Sequence, residues 1–297
     1  MTVVEFNGVT KSYRTHNVLK DMNFTIKQDV LTGIIGRNGV GKTTLMKIIV
    51  GFIEESSGKV EVFSEKPFNN LKVSANSILV DDAMGFPEAM TLADILKECN
   101  RFYSNWDAGL AERLVTYFGY HPDARHRHLS KGQRSTFNAI VGISSRCALT
   151  IFDEPTTGMD SAVRKDFYRA LLKDYLDHPR TILISSHHIE EIEDLLEDVL
   201  LVHGGVAHFH GPITELQEMY IELTGKTEQL SFHTEGKKVV STDDTGPYPQ
   251  WTIENTFTKN DIMRMKADSI TISPVSANDA YIALTHQPRG GIDDVFK

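Results

Sequence analysis

The 297-residue sequence holds two cysteines, Cys99 and Cys147. They stand far apart and without metal-ligand spacing, so neither a disulfide scaffold nor a cysteine zinc site is indicated; reduced thiols of the cytosol are expected. Positive charge is not in excess: the net charge is -9, which argues against a general nucleic-acid binder but not against docking onto a basic protein surface. Long apolar runs are missing as well. VLTGIIG and LLEDVLLV fall short of the ~20 residues of a membrane helix, and MTVVEFNGVTKSY carries acidic and polar residues too early for a signal peptide. There is no internal repeat. What remains is an ordinary globular composition, 40% hydrophobic and 24% charged, long enough for roughly two domains and for a core that needs no staples.

The hydrophobic period alternates between two and 3.6, as in an α/β protein. VLTGIIG (30–36) predicts a buried strand, followed by a glycine loop and the helix KTTLMKIIV, which Gly51 stops. KVEVF (59–63), ALTIF (148–152) and TILISS (181–186) predict further strands. From about Thr91 to Tyr120 the pattern is helical, with Leu110, Leu114 and Phe118 on one face. SAVRKDFYRALLKDYL predicts a helix with Val163, Phe167, Ala170 and Leu171 inward, and HIEEIEDLLE another. VLLVHGGVAHF predicts a hairpin turning at Gly204-Gly205. Residues 226–273 are polar with short alternating runs (QLSFHT, KKVVST, SITIS), and the helical pattern NDAYIALT follows.

Three short stretches carry chemistry. GRNGVGKT (36–43) fits G-x-x-x-x-G-K-[ST] between a strand and a helix. Its glycines let successive N–H groups face phosphates, Lys42 reaches the β- and γ-phosphates, and the Thr43 hydroxyl suits Mg²⁺. IFDEP (151–155) delivers Asp153 and Glu154 to the carboxyl end of a strand, where α/β sheets bind ligands; Asp153 suits the Mg²⁺ shell and Glu154 the orientation of attacking water. LSKGQRS (129–135) places serine and glycine before a helix, an N-terminus able to hold an anion. No second copy of the phosphate loop is present to supply that anion. His208 and His210 alternate on one strand face, but two histidines without a third ligand are expected to face solvent.

In this order the stretches resemble the ATPase domain of the ABC family, from Met1 to about Leu216. GRNGVGKTT corresponds to Walker A (Gly36, Arg37, Asn38, Gly39, Val40, Gly41, Lys42, Thr43, Thr44) and IFDEP to Walker B. LSKGQ corresponds to the signature (Ser130, Lys131, Gly132, Gln133), usually LSGGQ. TTGMD corresponds to the D-loop ending at Asp160, and SSHHIEE to the switch segment, which assigns His187 to the γ-phosphate and the water. Tyr13 stands where the family stacks an aromatic on adenine. The resemblance implies a P-loop fold of ABC type with an N-terminal antiparallel β subdomain and a helical subdomain at about 86–145. It also implies ATP and Mg²⁺ as ligands, and a head-to-tail dimer in which each signature caps the partner's nucleotide. Where the family has a Mg²⁺-ligating glutamine, this chain has LVDDAMGF. Spacing from Thr91 assigns Asp82 to that place, with Asp81 one register away; a carboxylate is a competent Mg²⁺ ligand.

The domain division expected is an ATP-binding domain over 1–222 and a small α+β appendage over 223–297. With no membrane helices of its own, the subunit implied is peripheral, at the cytoplasmic face of the cell membrane. Its expected partners are separate integral membrane subunits and a second ATPase, itself or a paralogue, but not nucleic acid. The closing helix and the carboxylate at the glutamine position resemble ATPase subunits of Gram-positive exporters of antibiotics or cytolytic peptides. Two alternatives stand beside the exporter reading: a soluble ABC ATPase of translation or DNA maintenance, and a nucleotide-responsive regulator with a C-terminal binding module.

Overall fold

The computed structural model describes residues 1–186, 189–243 and 246–285. The chain divides into two compact units, Met1–His210 and Gly211–Lys297. The first begins with an antiparallel sheet in the order β2-β1-β4. Its strands β1 (Thr2–Tyr13), β2 (His16–Lys27) and β4 (Ser57–Val62) follow the period-two rule. Thus Leu19, Met22, Phe24 and Ile26 of β2 turn inward, and Phe24 stacks on Phe6 at 4.5 Å between ring centroids.

The second layer is a six-stranded sheet in the order β5-β6-β7-β3-β8-β9. Strands β3 (Leu31–Ile35), β5 (Ser77–Val80), β6 (Leu149–Asp153), β7 (Thr181–Ser185) and β8 (Asp198–His203) run parallel. The first four are buried along their whole length, as parallel strands covered on both faces require. Strand β9 (Val206–Pro212) returns through Gly204-Gly205, both at positive φ (58° and 85°), the backbone that a two-residue hairpin demands. Because β7 lies between β3 and β6, the loops that leave those strands open at one end of the sheet, with Ser185 in register with both Ile34 and Asp153.

Helix α1 (Lys42–Ile49) follows β3, and α2 (Leu71–Asn76), capped by Asn70, leads into β5. The helical subdomain comprises α3 (Leu92–Phe102), capped by Thr91 and Asp94, α4 (Ala108–Tyr117), capped by Asp107, and α5 (Lys131–Ser145). The expected stripe on α4 shifts by one residue: Ala111 and Val115 are its buried positions, and Leu110, Leu114 and Phe118 are only half-buried. Helix α6 (Ser161–Asp177) turns Phe167 and Leu171 inward as expected, together with Tyr168 and Tyr175, whereas Val163 and Ala170 are only half-buried. The acidic run after β7 forms two short 3₁₀ turns, Ile189–Glu191 and Glu193–Leu195, instead of the expected helix. Like charges four apart (Glu190 and Asp194, Glu193 and Glu197) oppose a continuous α-helix. Glu197 instead accepts from the Leu31 N–H and from the Tyr175 hydroxyl.

In the second unit α7 (Ile213–Glu218) precedes an antiparallel sheet in the order β11-β12-β10-β13. These strands are β10 (Tyr220–Thr224), β11 (Val239–Asp243), β12 (Gln250–Glu254) and β13 (Thr271–Pro274). The unit also contains α8 (Thr227–His233), α9 (Lys259–Ala267) and α10 (Ala277–Thr285). Ile221, Leu223, Leu230, Ile253, Met265 and Ile270 form its own core. The break between units therefore falls a dozen residues before the expected 222/223, because β10 pairs with β12 and β13 and belongs to this sheet. QLSFHT, whose alternation suggests a strand, lies mostly in α8: only Leu230 turns into the core, and Phe232 points outward.

Candidate functional site: a phosphate-loop cavity and a signature cleft

The loop after β3 can wrap this closely because Gly36 and Gly41 carry no side chain. A Cβ on Gly36 would lie 2.4 Å from the Val202 carbonyl, and Gly41, at φ 109°, would meet Leu19 at 2.7 Å. Gly41 is the N-cap of α1, so the free N–H groups of the first turn and the positive end of the helix dipole face the loop. Lys42, buried at the helix start, donates to the Gly36 carbonyl at 2.6 Å and pairs with Glu154 at 3.8 Å. Burial lowers its pKa, and Glu154 and Asp153 oppose that shift.

Strand β6 brings in the carboxylates. The Thr43 hydroxyl donates to Asp153 Oδ2 at 2.5 Å, and Ser185 Oγ donates to Asp153 Oδ1 at 2.7 Å. Ser185 Oγ also accepts from the Glu154 N–H at 2.9 Å. Glu154 adopts φ 47°, a conformation that L residues avoid and that this hydrogen bond helps to hold. Ser185 escaped the sequence reading, since its role arises from register across β6 and β7.

One cavity of about 470 Å³ gathers Lys42, Thr43, Asp82, Asp153 and Glu154, with Asn38, Gly39, Gly41 and Thr44 along the loop. Val18, Lys131 and Thr157 also line it, and none of the three was expected there. Of the two candidate aspartates Asp82 faces the cavity. Burial raises the Asp81 pKa; Lys47 opposes the shift, while Asp82 and Asp153 add to it. Gly36, Arg37 and Val40 complete the loop without lining the cavity. Tyr13, at the end of β1, is 48% exposed with Lys11 Nζ 5.2 Å above its ring, and it too stands outside the cavity lining. His187 and His188 lie outside the described residues.

The signature begins α5. Ser130 caps it through a reciprocal pair: Ser130 Oγ accepts from the Gln133 N–H at 3.2 Å, and Gln133 Oε1 accepts from the Ser130 N–H at 3.0 Å. A Cβ on Gly132 would lie 2.1 Å from the Gly158 carbonyl, so only glycine permits the D-loop to pack this closely. Asp160 caps α6, accepting from the Ala162 and Val163 N–H groups at 2.9 Å. Ser130, Gly132, Gln133 and Asp160 share a second, smaller cleft of about 180 Å³, of which Lys42, Asp153 and Glu154 are no part.

The remaining histidines separate. His203 and His208 meet across the hairpin with ring centroids 5.3 Å apart, while His210 packs edge-on against Phe24 instead of facing solvent. Among the described residues no group of three His, Cys, Asp or Glu side chains is arranged to hold a metal. Cys99 and Cys147 are buried free thiols, pushed up to about 12 and about 11 by burial.

A phosphate loop between β3 and α1, facing acidic residues at the end of the parallel strand β6, defines an ATP-binding domain of the P-loop type. The family model described as ABC transporter matches residues 19–157. The ABC transporter ATP-binding protein YtrB of Bacillus subtilis (strain 168) is 27% identical over 233 residues, 78% of each chain. The bacitracin transport ATP-binding protein BcrA of Bacillus licheniformis is 28% identical over 207 residues, 69% of this chain and 68% of its own length. A solved ATP-binding subunit of an ABC transporter shares the fold at a TM-score of 0.65 and 22% identity, covering 73% of this chain and 92% of that one. Over residues 19–157 the chain thus carries an ATP-binding domain of the ABC transporter type, a kind of domain that hydrolyses ATP.

Proposed function

We propose that this chain is the motor subunit of a bacterial exporter, working as a head-to-tail dimer against separate integral membrane subunits at the cytoplasmic face of the cell membrane. The observation that carries the reading is the separation of the two half-sites. Lys42, Thr43, Asp153 and Glu154 share one cavity, while Ser130, Gly132 and Gln133 open onto another. A second ATPase chain, identical or paralogous, would bring its signature over this chain's nucleotide, so that two copies complete two sites. Such a division suits phosphoryl transfer, which needs positioning and charge neutralisation more than covalent chemistry.

Within the site, Lys42 and the α1 N-terminus hold the β- and γ-phosphates. Glu154 orients water for attack on the γ-phosphorus and takes up its proton as the bond to the leaving ADP oxygen breaks. Tyr13, half exposed beside Lys11, is assigned to adenine and His187 to the γ-phosphate by their motifs alone. The oxygen donors Thr43, Asp153 and Asp82 suit a hard divalent cation. When bound, Mg²⁺ would neutralise phosphate charge.

Export is supported by the similarity to a bacitracin transport subunit. Dependence on membrane partners is supported by the lack of any helix among the described residues long and apolar enough to cross a bilayer. The test is the mass of Glu154→Gln in solution with and without ATP-Mg²⁺. Loss of the base slows hydrolysis by about 10²–10⁴-fold, so ATP stays bound and a stable ATP-dependent dimer is expected. A chain that binds ATP and remains monomeric refutes the homodimer.

A further inference from the structure

We infer that Lys131 is a phosphate ligand of its own chain's nucleotide, acting in the opposite direction to its neighbours in the signature. The inference rests on the phosphate-site reading of the cavity and extends it. Successive residues at a helix start diverge by a little over a quarter turn, and here that divergence separates two clefts. Ser130 and Gly132 border the signature cleft, whereas Lys131 between them lines the cavity of Lys42, Asp153 and Glu154.

The path of the side chain is defined by the D-loop. Gly158, at φ 82°, leaves a surface against which the lysine stem lies, and a Cβ there would stand 3.5 Å from Lys131 Cγ. Ser135 Oγ donates to the Thr157 carbonyl at 2.8 Å and fixes this turn to α5. Thr157 itself lines the cavity beside Lys131. The stem thus crosses the D-loop towards the chain's own phosphate loop.

Charge gives the contact its sense. Lys42 faces three carboxylates in the cavity, Asp82, Asp153 and Glu154, and a triphosphate adds more negative charge. A second ammonium offsets part of it. Seen from α5, a cation in the first turn opposes the helix dipole, and an anion at its tip relieves that opposition. The Lys131 stem lies against Gly158, next to Thr157, whose N–H donates to the Glu154 carbonyl at 3.2 Å; approaching from beside Glu154, it has the terminal phosphate as its target and should favour ATP over ADP. It also ties the helical subdomain to the bound nucleotide within one chain.

The experiment titrates full-length wild type, Lys131→Gly, Lys131→Gln and Lys131→Arg with ATP and with ADP by calorimetry. Protein concentrations are those at which sedimentation shows a monomer, and Lys42→Ala is run alongside. Lys131→Gly and Lys131→Gln are each expected to weaken ATP binding about three- to tenfold while ADP changes by less than about twofold. Lys131→Arg should retain the wild-type preference, and the difference should shrink as salt rises. If Lys131→Gly binds ATP within about twofold of wild type, or loses ATP and ADP equally, the inference is overturned. Where that happens while Lys42→Ala loses both nucleotides, only Lys131 is affected; if Lys42→Ala binds both as wild type does, the phosphate-site reading falls as well.

Discussion

Replacing Ser185 by alanine removes a single buried oxygen and two hydrogen bonds at once. Ser185 Oγ donates to Asp153 at 2.7 Å and accepts from the Glu154 N–H at 2.9 Å. The first bond reaches a carboxylate and is worth about 1.5–3 kcal/mol; the second, between neutral groups, is worth about 0.5–1.5 kcal/mol. The second also restrains Glu154 at φ 47°, a left-handed conformation that costs roughly 1–2 kcal/mol for an L residue. Without it the Glu154 backbone is free to relax, and its carboxylate turns away from the water it would orient. Ser185→Ala should therefore lose about 2–4 kcal/mol in urea unfolding. It should also lose about 10- to 100-fold in kcat, as misplacement of a reacting group costs. ATP affinity, set mainly by Lys42 and the loop amides, should change by less than about threefold. Ser185→Thr, which keeps the hydroxyl and suits a strand, should recover most of the rate. A variant with wild-type kcat and a stability loss below about 0.5 kcal/mol would refute this account of Ser185, since surface substitutions have effects of that size.

Asp82→Ala should raise the Mg²⁺ concentration needed for half-maximal hydrolysis; an unchanged Mg²⁺ titration and an unchanged partner-stimulated rate together would remove Asp82 from the metal shell. Gly132→Ala places a Cβ 2.1 Å from the Gly158 carbonyl, so it should displace the D-loop and cost about 1–3 kcal/mol, as overpacking does; denaturant titration of the variant checks this. The thiols make stability fall at alkaline pH. Cys147 ionises near 9.0 when unfolded and at about 11 when folded, so above pH 9 the unfolded chain binds fewer protons and stability declines until the folded thiol titrates. Cys147→Ala should flatten that decline between about pH 9 and 11, as followed by urea midpoints against pH.

The phosphate loop was legible because its chemistry is contiguous: GRNGVGKT carries turn, cation and hydroxyl in eight successive residues. Asp153 and Glu154 were legible for the same reason, at the end of an apolar strand. Asp82 needed counting from a helix cap, and its cavity position depends on how the loop after β5 turns. Val18 carries no local signal, and Ser185 and Thr157, although they lie within SSHHIEE and TTGMD, reach the site through register and packing between distant segments. Lys131 was noticed as a departure from glycine, but its direction depends on Gly158, which lies 27 residues further along the sequence. In the second unit, alternation in QLSFHT imitated a strand because seven helical residues with one buried position leave little periodic information.

The strand order has a consequence for the life of the chain before it works. Strand β3, which leads into the phosphate loop, is made early, at Leu31–Ile35, yet its sheet neighbours are β7 at Thr181–Ser185 and β8 at Asp198–His203. During synthesis the loop therefore emerges long before anything can flank it. Its nucleotide grip must wait until about two-thirds of the polypeptide has left the ribosome. Nascent fragments ending before β7 should carry the whole phosphate motif and still fail to retain ATP. Nucleotide capture then reports that the sheet has closed, and an interrupted translation product cannot compete with finished subunits for the cell's ATP.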